Sequence, residues 1–567
     1  MSRAIWFAII LVTAALAANS AQGRNATLIL VNGKIWTENP RQPEAEALAI
    51  EGNQILSVGS SQAMRKLAGP DCKIIDLGGR RVVPGFNDSH VHLISGGDGL
   101  VSVRLEDANS LDELRRRLGD YARSLSKGVW IRNGNWDHQR WSPANLPTHE
   151  AIDTVTPDNP VFVWRYDGHM ALANALAMKL AGLDRNTKDP PGGEIVRDKQ
   201  GNPTGILKDQ ATGIVERVIP PPPGSEVDSG LRAAMREAAT HGVTSVQQMW
   251  DAPTDQYSAE KFRELQKFAH NGMLTVRVYD ASPLRDWKSL ATAGVQAAFG
   301  NPTLRMGNLK SFADGALGAE TAWMDAPFAD RPGYSGLASA DLMDSAGMFA
   351  SIQGADKAGL QISIHAIGDR AVHTVLDLFE RAEREDGPAD RRFRIEHVQH
   401  LRPADAARFK PLGVIASMQP YHAIDDGRWA GKVLGPERMH TSYAWRLLLD
   451  HGAVLAFGSD WPVAPLDPLL GIYAAVTRRT LDGKNPQGWI PEQRITVAEA
   501  VHAYTVGSAF AEHQETVKGS LEAGKLADLA VLTDDIFRVP ANDLDKVRVY
   551  ITVFDGSVIY QRAAPES

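Results

Sequence analysis

Hydrophobic and polar positions in the middle of the 567-residue chain alternate between short apolar runs and longer stretches with helical periodicity. The helical stretches include "LRAAMREAATHG", "AEKFRELQKFAHNG" and "DRAVHTVLDLFERAERE". The apolar runs are residues 85–92, 243–249, 274–279, 304–312, 360–365, 393–397, 414–418 and 454–459. Eight strand–helix repeats predict an α/β protein built on a (β/α)8 TIM barrel, whose working groups lie at the carboxyl ends of the strands. A doubly wound open sheet is the alternative, but no G-x-G-x-x-G motif or P-loop follows any run.

Both ends of the chain show a different pattern, in which apolar and polar residues alternate around glycine and asparagine turns. The segments "ATLILVNGKIWT", "ALAIEGNQILSVG" and "CKIIDLGGRRVVPG" lie near the start, and "LADLAVLT" and "VYITVFDGSVIYQ" near the end. This pattern predicts short strands joined by hairpins. We expect one small β-sandwich domain from residues 24–84 plus 515–563, with the barrel at residues 85–514. Two independent β caps are the alternative.

A long interval between the first and second predicted barrel strands interrupts the repeat. It runs from about residue 96 to residue 230 and contains "PVFVWRYDGHMALANALAM". Loops longer than about 12–15 residues are uncommon in compact domains, so the interval predicts an inserted subdomain. In this position it would lie over the barrel mouth, as a lid or as a wall of the substrate pocket.

The first residues, "MSRAIWFAIILVTAALAANSAQG", combine the basic Arg3 with an apolar stretch and small residues. The stretch is shorter than the ~20 residues that a membrane-spanning helix needs, so residues 1–21 are predicted to be a cleaved signal peptide rather than an anchor. No cysteine follows it, which argues against a lipoprotein. We therefore expect an exported protein, periplasmic or extracellular, without a membrane partner after cleavage.

Composition narrows the classes of function. The chain is 43% hydrophobic and 23% charged, which is typical of a globular protein, and its net charge of −8 is spread without long runs. This distribution gives no indication of a nucleic acid or an anionic membrane surface as a partner. We expect a small-molecule substrate and leave a homo-oligomer open. Cys72 is the single cysteine, which excludes an intramolecular disulfide and a cysteine-rich metal site. Histidines and carboxylates would have to bind any metal.

Polar residues end several of the predicted barrel strands. His90 and His92 end the first strand and, being two residues apart, they point to the same side and are able to chelate one ion. The fourth, fifth, sixth and eighth strands end at or next to Lys310, His365, His397 and Asp460. Each residue alone has a structural explanation, such as a hydrogen-bonded core histidine, a helix N-cap or a lysine that reaches solvent. Together at one face they predict a histidine-rich cavity suited to a divalent metal.

The order of these residues resembles the amidohydrolase superfamily, and specifically amidohydrolase family 3, which includes N-substituted formamide deformylase-like and YtcJ-like hydrolases. The resemblance spans nearly the whole mature chain and depends on "GFNDSHVHL", "DGHMALAN", "DPPGGEIVRDKQGNPTGIL", "KSFADGALG", "HAIGDRAV", "RIEHVQ", "GSDWPV" and "GKLADLAVL". Lys208-Asp209 is a small departure, because a carboxylate on a longer side chain is common there. The metal motifs are intact.

The resemblance implies a metal-dependent hydrolase with one or two divalent ions, usually Zn²⁺. The implied ligands are His90, His92, Lys310, His365, His397 and Asp460. Burying an ammonium is costly, so Lys310 has to be paired or modified. The resemblance implies that carbon dioxide converts it to a carbamate, a carboxylate able to bridge two cations. In the implied reaction a metal-activated hydroxide attacks a carbonyl carbon, and Asp460 passes the proton to the leaving nitrogen.

The expected function is hydrolysis of a C–N bond other than a peptide bond, in an amide, an N-acyl amine or an N-formyl amine. Ester, lactone or cyclic-amide hydrolysis stays open in the same fold, because the metal ligands do not select the leaving group. A deaminase is a further alternative. A non-catalytic protein that binds a metal or a solute is the alternative of another class, although a structural zinc site needs only four ligands and no base such as Asp460.

Five aromatic side chains near these motifs are candidate substrate contacts: His169, His422, Trp136, Trp323 and Trp461. The two histidines resemble family positions near the barrel mouth, and either is able to stabilise an oxyanion. The three tryptophans are candidates for the wall of an apolar pocket, with core packing as the alternative. Asp314, in "ADGALG", is expected to orient a loop rather than to catalyse.

Overall fold

A computed structural model, which describes residues 25–220, 224–250 and 255–563, has eight parallel strands at its centre. The strands are β1 Phe86–Val91, β2 Val243–Gln248, β3 Arg277–Pro283, β4 Leu304–Phe312, β5 Gln361–Ala366, β6 Arg394–His397, β7 Ile415–Met418 and β8 Val454–Phe457. They pair in chain order from β1 to β8. The backbone N–H of Asp460 then donates to the carbonyl of His90 (2.7 Å), which joins the end of β8 to β1. The predicted (β/α)8 barrel is confirmed.

Helices pack around the outside of this barrel. The helix Asp369–Asp386 shows why they form, since its buried residues Ala371, Val372, Val375 and Leu376 recur at the spacing of one helical face. The longer helices are Leu93–Leu100, Leu111–Ser124, Gly224–Thr240, Asp255–His270, Ser345–Lys357, Asp369–Asp386 and Pro468–Thr477. The shorter ones are Ser61–Arg65, His149–Asp153, Ala175–Ala181, Gly213–Glu216, Trp287–Thr292, Ala340–Met343, Ala406–Phe409, Pro420–Asp426, Ala430–Leu434, Trp445–Asp450, Val497–His502 and Ser508–Ala511. Among the described residues no helix has the length and apolar character needed to cross a membrane.

Two sheets built from the chain ends share one hydrophobic core. The first sheet has the order Gln54–Gly59, Ala47–Glu51, Ala26–Val31 and Ala68–Asp76. The second has the order Ser557–Gln561, Val549–Phe554, Leu529–Leu532, Arg81–Pro84, Lys34–Trp36 and Glu44–Ala45. Leu30 and Leu48 from the start of the chain lie in the same cluster as Ile551 and Val553 from its end. The signal peptide predicted at residues 1–21 lies outside the described residues.

The interval between β1 and β2 contains a sheet of its own. Five strands pair in the order Gly193–Arg197, Pro203–Asp209, Met170–Ala173, Val161–Arg165 and Ile131–Trp136. Apolar clusters that include Leu118 and Val163 on one side and Phe162 and Leu207 on the other pack against this sheet. Residues of this inserted domain reach the cavity at the carboxyl ends of the barrel strands.

The shared core of the two terminal sheets predicts a large cost for truncating Ile551. This side chain is fully buried, so Ile551→Ala should lower the free energy of unfolding by about 2–5 kcal/mol. The same substitution at Ile74, which is 41% exposed in the partner sheet, should cost less than about 0.5 kcal/mol. Urea unfolding of both variants measures the difference. Equal costs would mean that the C-terminal strand does not share the core.

Candidate active site

All six residues predicted to be metal ligands line one cavity of about 530 Å³ at the carboxyl ends of the barrel strands: His90, His92, Lys310, His365, His397 and Asp460. The ring centre of His397 lies 4.7 Å from that of His90 and 4.6 Å from that of His365. Asp460 Oδ1 lies 3.4 Å from Nε2 of His90 and 3.1 Å from Nε2 of His92. The structure therefore brings the predicted ligands together.

Backbone conformation helps to aim two of these ligands. His397 has φ 77° and Asp460 has φ 61°, so both lie in the left-handed region that side chains with a Cβ rarely adopt. Each such residue costs on the order of 1–3 kcal/mol and persists only where the surrounding structure holds it. Here both residues leave the strand direction at the cavity rim, which turns their side chains toward His90.

Glu396 orients His90. Its Oε2 lies 2.6 Å from Nδ1 of His90, and Arg394 Nε lies 2.8 Å from Oε1. Burial raises the pKa of the Glu396 carboxyl, but the charges of Arg394 and His90 outweigh it and hold that pKa well below its usual range. The ionised carboxylate therefore accepts from Nδ1–H, which leaves Nε2 of His90 facing Asp460. Glu396 was not predicted from the sequence, although a carboxylate inside a buried strand, directly before His397, is a visible signal.

Two further histidines each have one ring nitrogen held away from the cavity. Nδ1 of His397 lies 2.8 Å from Oε1 of Gln419, and Nε2 of His365 lies 3.1 Å from the carbonyl of Gly315. A metal-binding histidine characteristically uses its second nitrogen in this way, which sets the tautomer and the ring orientation. Gln419 was not predicted from the sequence either, because it lies 22 residues after His397 and no local motif connects the two residues.

The Lys310 side chain does not reach solvent. The residue is 2% exposed, it lines the cavity, and its Nζ lies 5.0 Å from the ring centre of Phe312. Burial and the positive charge of Lys310 lower the pKa of His90 to about 4, against the opposing effect of Asp460 and Glu396. The same two causes, with the neighbouring histidines, lower the pKa of His365 and His397. These rings are therefore neutral, which is the form that binds a metal.

The side chains that meet at this point fit a divalent cation. Nε2 of His90 is buried and makes no hydrogen bond to any residue that the structure describes. One ligand atom from each of His90, His397 and Asp460 lies within 4.8 Å of the others. Burial raises the pKa of Asp460, but His90, His92 and His397 lower it well below its usual value, so the carboxylate is ionised. Neutral imidazoles around one ionised carboxylate are the ligand set that zinc prefers.

Both histidines predicted to contact substrate line the cavity. His169 belongs to the inserted domain, and its Nδ1 lies 2.7 Å from Oδ1 of Asp209. Burial lowers the pKa of His169, but the hydrogen bond to Asp209 and the charges of Asp209, Asp167 and Asp314 together outweigh it, so this pKa lies above its ordinary value. His422 follows β7, its Nε2 lies 4.0 Å from Oδ2 of Asp460, and burial lowers its pKa.

The three tryptophans predicted to contact substrate are absent from the described residues that line this cavity. Trp136 is fully buried in the core of the inserted domain, where its indole N–H donates to the carbonyl of Val163. Trp323 packs under the guanidinium of Arg370, 4.2 Å from its ring centre. Trp461 packs against the backbone of the helix Leu93–Leu100. All three tryptophan rings therefore pack against other parts of the protein.

Other aromatic residues form the walls of the cavity instead. The cavity is lined by Trp164, Tyr166, Trp250, Phe312 and Trp429. Trp164 and Tyr166 come from "PVFVWRYDGH" in the inserted domain, so that motif carried a signal for the pocket wall that sequence analysis did not use. The remaining three come from distant parts of the barrel, and their convergence depends on the tertiary fold.

Asp314 orients a loop, as its sequence context predicts. Its carboxylate accepts hydrogen bonds from the backbone N–H groups of Trp323, Ile367 and Gly368. These bonds connect the segment after β4 to the segment after β5 and so hold His365 in place. Burial raises the pKa of Asp314 to about 7, and the three backbone bonds oppose that rise.

Comparison with known proteins places the whole chain among amidohydrolases. A family model described as amidohydrolase family (Amidohydro_3) matches residues 73–560. Protein LONG AFTER FAR-RED 3 of Arabidopsis thaliana is 38% identical over 94% of this chain and 92% of its own length. Putative amidohydrolase YtcJ of Bacillus subtilis is 31% identical over 94% of this chain and 99% of its own length.

Two further similarities bear on the chemistry. N-substituted formamide deformylase of Arthrobacter pascens is 27% identical over 94% of this chain and 98% of its own length. The crystal structure of an uncharacterized metal-dependent hydrolase from Pyrococcus horikoshii OT3 superposes with a TM-score of 0.73 at 29% identity. That match covers 91% of this chain and 99% of the other. The barrel, the terminal β domain and the inserted domain are thus compared over nearly their full length.

The contact between Glu396 and His90 predicts that Glu396→Gln weakens metal binding by about 10- to 100-fold. An amide in place of the carboxylate no longer favours the proton on Nδ1, so Nε2 is less available as a ligand. Competition between the protein and a chelator of known zinc affinity measures the effect. The matched control is Glu380→Gln, at an exposed glutamate, which should bind zinc like the wild type. Equal zinc affinities of the two variants would mean that Glu396 does not contribute to metal binding.

Proposed function

The chain belongs to the amidohydrolase family, and from this premise we propose that it hydrolyses a C–N bond in an amide, an N-acyl amine or an N-formyl amine. Membership of amidohydrolase family 3, predicted from the motifs, is confirmed. The observation that carries the proposal is the cluster of neutral histidines around the ionised Asp460 in the cavity at the carboxyl ends of the barrel strands. The relative named N-substituted formamide deformylase supports the choice of bond.

The six clustered residues would hold one or two divalent ions, with zinc as the first choice: His90, His92, Lys310, His365, His397 and Asp460. A bound divalent ion supplies Lewis acidity, which makes a water more acidic and a carbonyl carbon more electrophilic. The protein contributes the geometry. Glu396 and Gln419 hold His90 and His397 in one tautomer, so the ligand atoms are arranged before an ion arrives.

Asp460 is the proton carrier of the proposed reaction. Its carboxylate is ionised and buried, and it stands among the ligand atoms where the attacking water must bind. It takes the proton of that water and gives it to the leaving nitrogen, which departs as an amine.

His422 is the better placed of the two histidines for the developing oxyanion. The amide Nε2 of Gln399 lies 3.4 Å from Nδ1 of His422, so Nδ1 accepts and the ring proton is carried by Nε2. That Nε2 is buried and has no hydrogen-bond partner among the described residues. It is therefore available to donate to the substrate carbonyl oxygen as charge develops there.

Carbamylation of Lys310 belongs to the same proposal. Carbon dioxide adds to the neutral amine, with loss of one proton, and gives a carbamate. This removes a buried ammonium from a site that is to receive cations, and it adds oxygen ligands of the kind that divalent ions prefer. The burial of Lys310 in the cavity, close enough to His90, His365 and His397 for its charge to lower their pKa, supports the modification.

Export of the protein is also a proposal, supported by the basic, apolar and small-residue pattern of residues 1–21. Mass spectrometry of the protein from a periplasmic fraction would test it. A mature chain that begins shortly after residue 21 is the expected result.

Replacement of Asp460 by Asn tests the proposed proton transfer. The amide keeps one oxygen for a metal but is unable to carry the proton, so we expect kcat to fall by about 10²–10⁴-fold while much of the zinc is retained. Activity is measured with a panel of N-formyl and N-acyl amines, and zinc by elemental analysis. Asp450→Asn, at an exposed aspartate, is the control. An active Asp460→Asn enzyme would rule out the assigned role.

Replacement of Lys310 by Ala tests the carbamate. We expect lower metal occupancy and loss of activity, because the bridging oxygens are removed. Short-chain carboxylic acids should partly restore activity, since their carboxylate fits the space that the side chain leaves. Lys432→Ala, at an exposed lysine, is the control. A Lys310→Ala protein that binds two metals tightly and turns over at the wild-type rate would contradict the bridging role.

A further inference from the structure

His169 and Asp209 form a pair at the edge of the inserted domain. The strands Met170–Ala173 and Pro203–Asp209 are antiparallel, and the register pairs Met170 with Lys208. The backbone N–H of Asp209 donates to the carbonyl of His169 (3.0 Å), and Nδ1 of His169 lies 2.7 Å from Oδ1 of Asp209. A backbone bond and a side-chain bond between the same two residues hold the imidazole in one orientation.

Two glycines of the barrel allow this pair to approach the metal ligands. A Cβ atom on Gly315 would lie 2.9 Å from Oδ1 of Asp209, and one on Gly318 would lie 3.1 Å from Nη1 of Arg165. Both glycines belong to the "ADGALG" segment that follows β4. With no side chain there, the inserted domain packs closely enough to place the His169 ring centre 5.2 Å from that of His365.

The carboxylate determines which nitrogen of His169 carries the proton. An ionised carboxylate is an acceptor only, so Nδ1 must be the donor in this pair. In the neutral ring the proton is then on Nδ1, and Nε2 presents a lone pair to the cavity. His422 has the opposite arrangement, because its Nδ1 accepts from Gln399 and its Nε2 carries the proton. The cavity therefore has a hydrogen-bond acceptor beside His365 and a donor beside Asp460.

An acceptor and a donor on two sides of the metal ligands match the two polar groups of a secondary amide, its N–H and its carbonyl oxygen. An ester or a lactone has an oxygen in place of the N–H, and this oxygen has no proton to donate. Nε2 of His169 would then face another lone pair and lose a hydrogen bond. Sites that hydrogen-bond a substrate N–H discriminate strongly against analogues that lack it.

We infer that His169, positioned by Asp209, accepts a hydrogen bond from the N–H of the scissile bond and makes the cavity select amides and N-formyl amines over the matching esters and lactones. This inference rests on the proposed function and sharpens it, because it attributes the preference for amides over esters to the pair of His169 and Asp209. His169 contacts the substrate, whereas Asp209 acts through His169 as a positioning residue.

The test compares pairs of substrates that differ only at the scissile bond, where one has an N–H group and the other an oxygen atom. The amide that the zinc-loaded wild type hydrolyses fastest is paired with the ester of the same acyl group and the corresponding alcohol. The ratio of kcat/KM for amide to that for ester is measured as a function of pH into the alkaline range, because Asp209, Asp167 and Asp314 raise the pKa of His169 and only its neutral ring accepts a hydrogen bond at Nε2. The expected effects are those on the alkaline plateau. His169→Leu should lower this ratio by about 10- to 100-fold. Asp209→Leu should lower it by a smaller factor, and Asp209→Glu should retain part of it.

His422→Leu is the matched control, because it removes the donor that amides and esters share. It should lower kcat for both substrates and leave their ratio unchanged. Zinc content is measured for every variant, so that loss of metal is recognised. A ratio that does not change in His169→Leu would overturn the inference, since structural damage lowers both activities together. A lowered ratio in His169→Leu with none in Asp209→Leu would remove the positioning role of Asp209.

Binding of inhibitors separates this inference from the proposed function. A phosphonamidate and the phosphonate ester that differs from it by one N–H are titrated into the zinc-loaded protein by calorimetry. The wild type should bind the phosphonamidate at least tenfold more tightly, and His169→Leu should remove that difference. If the wild type hydrolyses no amide and yet shows this difference, the proposed function fails and the role of His169 stands. Equal binding of the two inhibitors to the wild type would overturn the role of His169.

Discussion

The join between β1 and the residues after β8 is the interaction on which the site depends. Asp88 in β1 accepts hydrogen bonds from the backbone N–H and the hydroxyl of Ser459, and the N–H of Asp460 donates to the carbonyl of His90. Gly458 makes this approach possible, because a Cβ there would lie 2.5 Å from the backbone nitrogen of His90. These contacts close the barrel and, in the same step, bring the ligands of the first and last strands together.

Burial and the mutual interactions of the side chains, rather than solvent, set the protonation states of the groups in the cavity. Burial favours the neutral form of His90, His365 and His397, while His90, His92 and His397 hold the pKa of the Asp460 carboxyl below its usual value. In water these groups would titrate independently near their ordinary pKa values. Inside the barrel the imidazole nitrogens and the carboxylate face one another, an arrangement that fits a divalent cation.

The inserted domain is part of the site and not an appendage. It provides two aromatic walls, Trp164 and Tyr166, and the pair of His169 and Asp209. The barrel supplies the candidate metal ligands from the ends of its strands, and the inserted domain supplies side chains that line the other side of the cavity. This division allows substrate preference to change in one domain while the ligands in the other stay the same.

The sequence by itself determined the barrel and the set of polar residues that meet at its strand ends, because strand periodicity and position at a strand end are local properties that decide where a side chain points. His90, His92, Lys310, His365, His397 and Asp460 could be predicted for that reason. Only the tertiary structure decided which residues orient them and which line the pocket. Glu396 was missed because its partner His90 is 306 residues away, and Trp136, Trp323 and Trp461 were assigned to the wall because sequence proximity to a motif does not reveal burial. A hydrogen bond across the barrel, or a ring packed in a core, depends on distances that no local pattern contains.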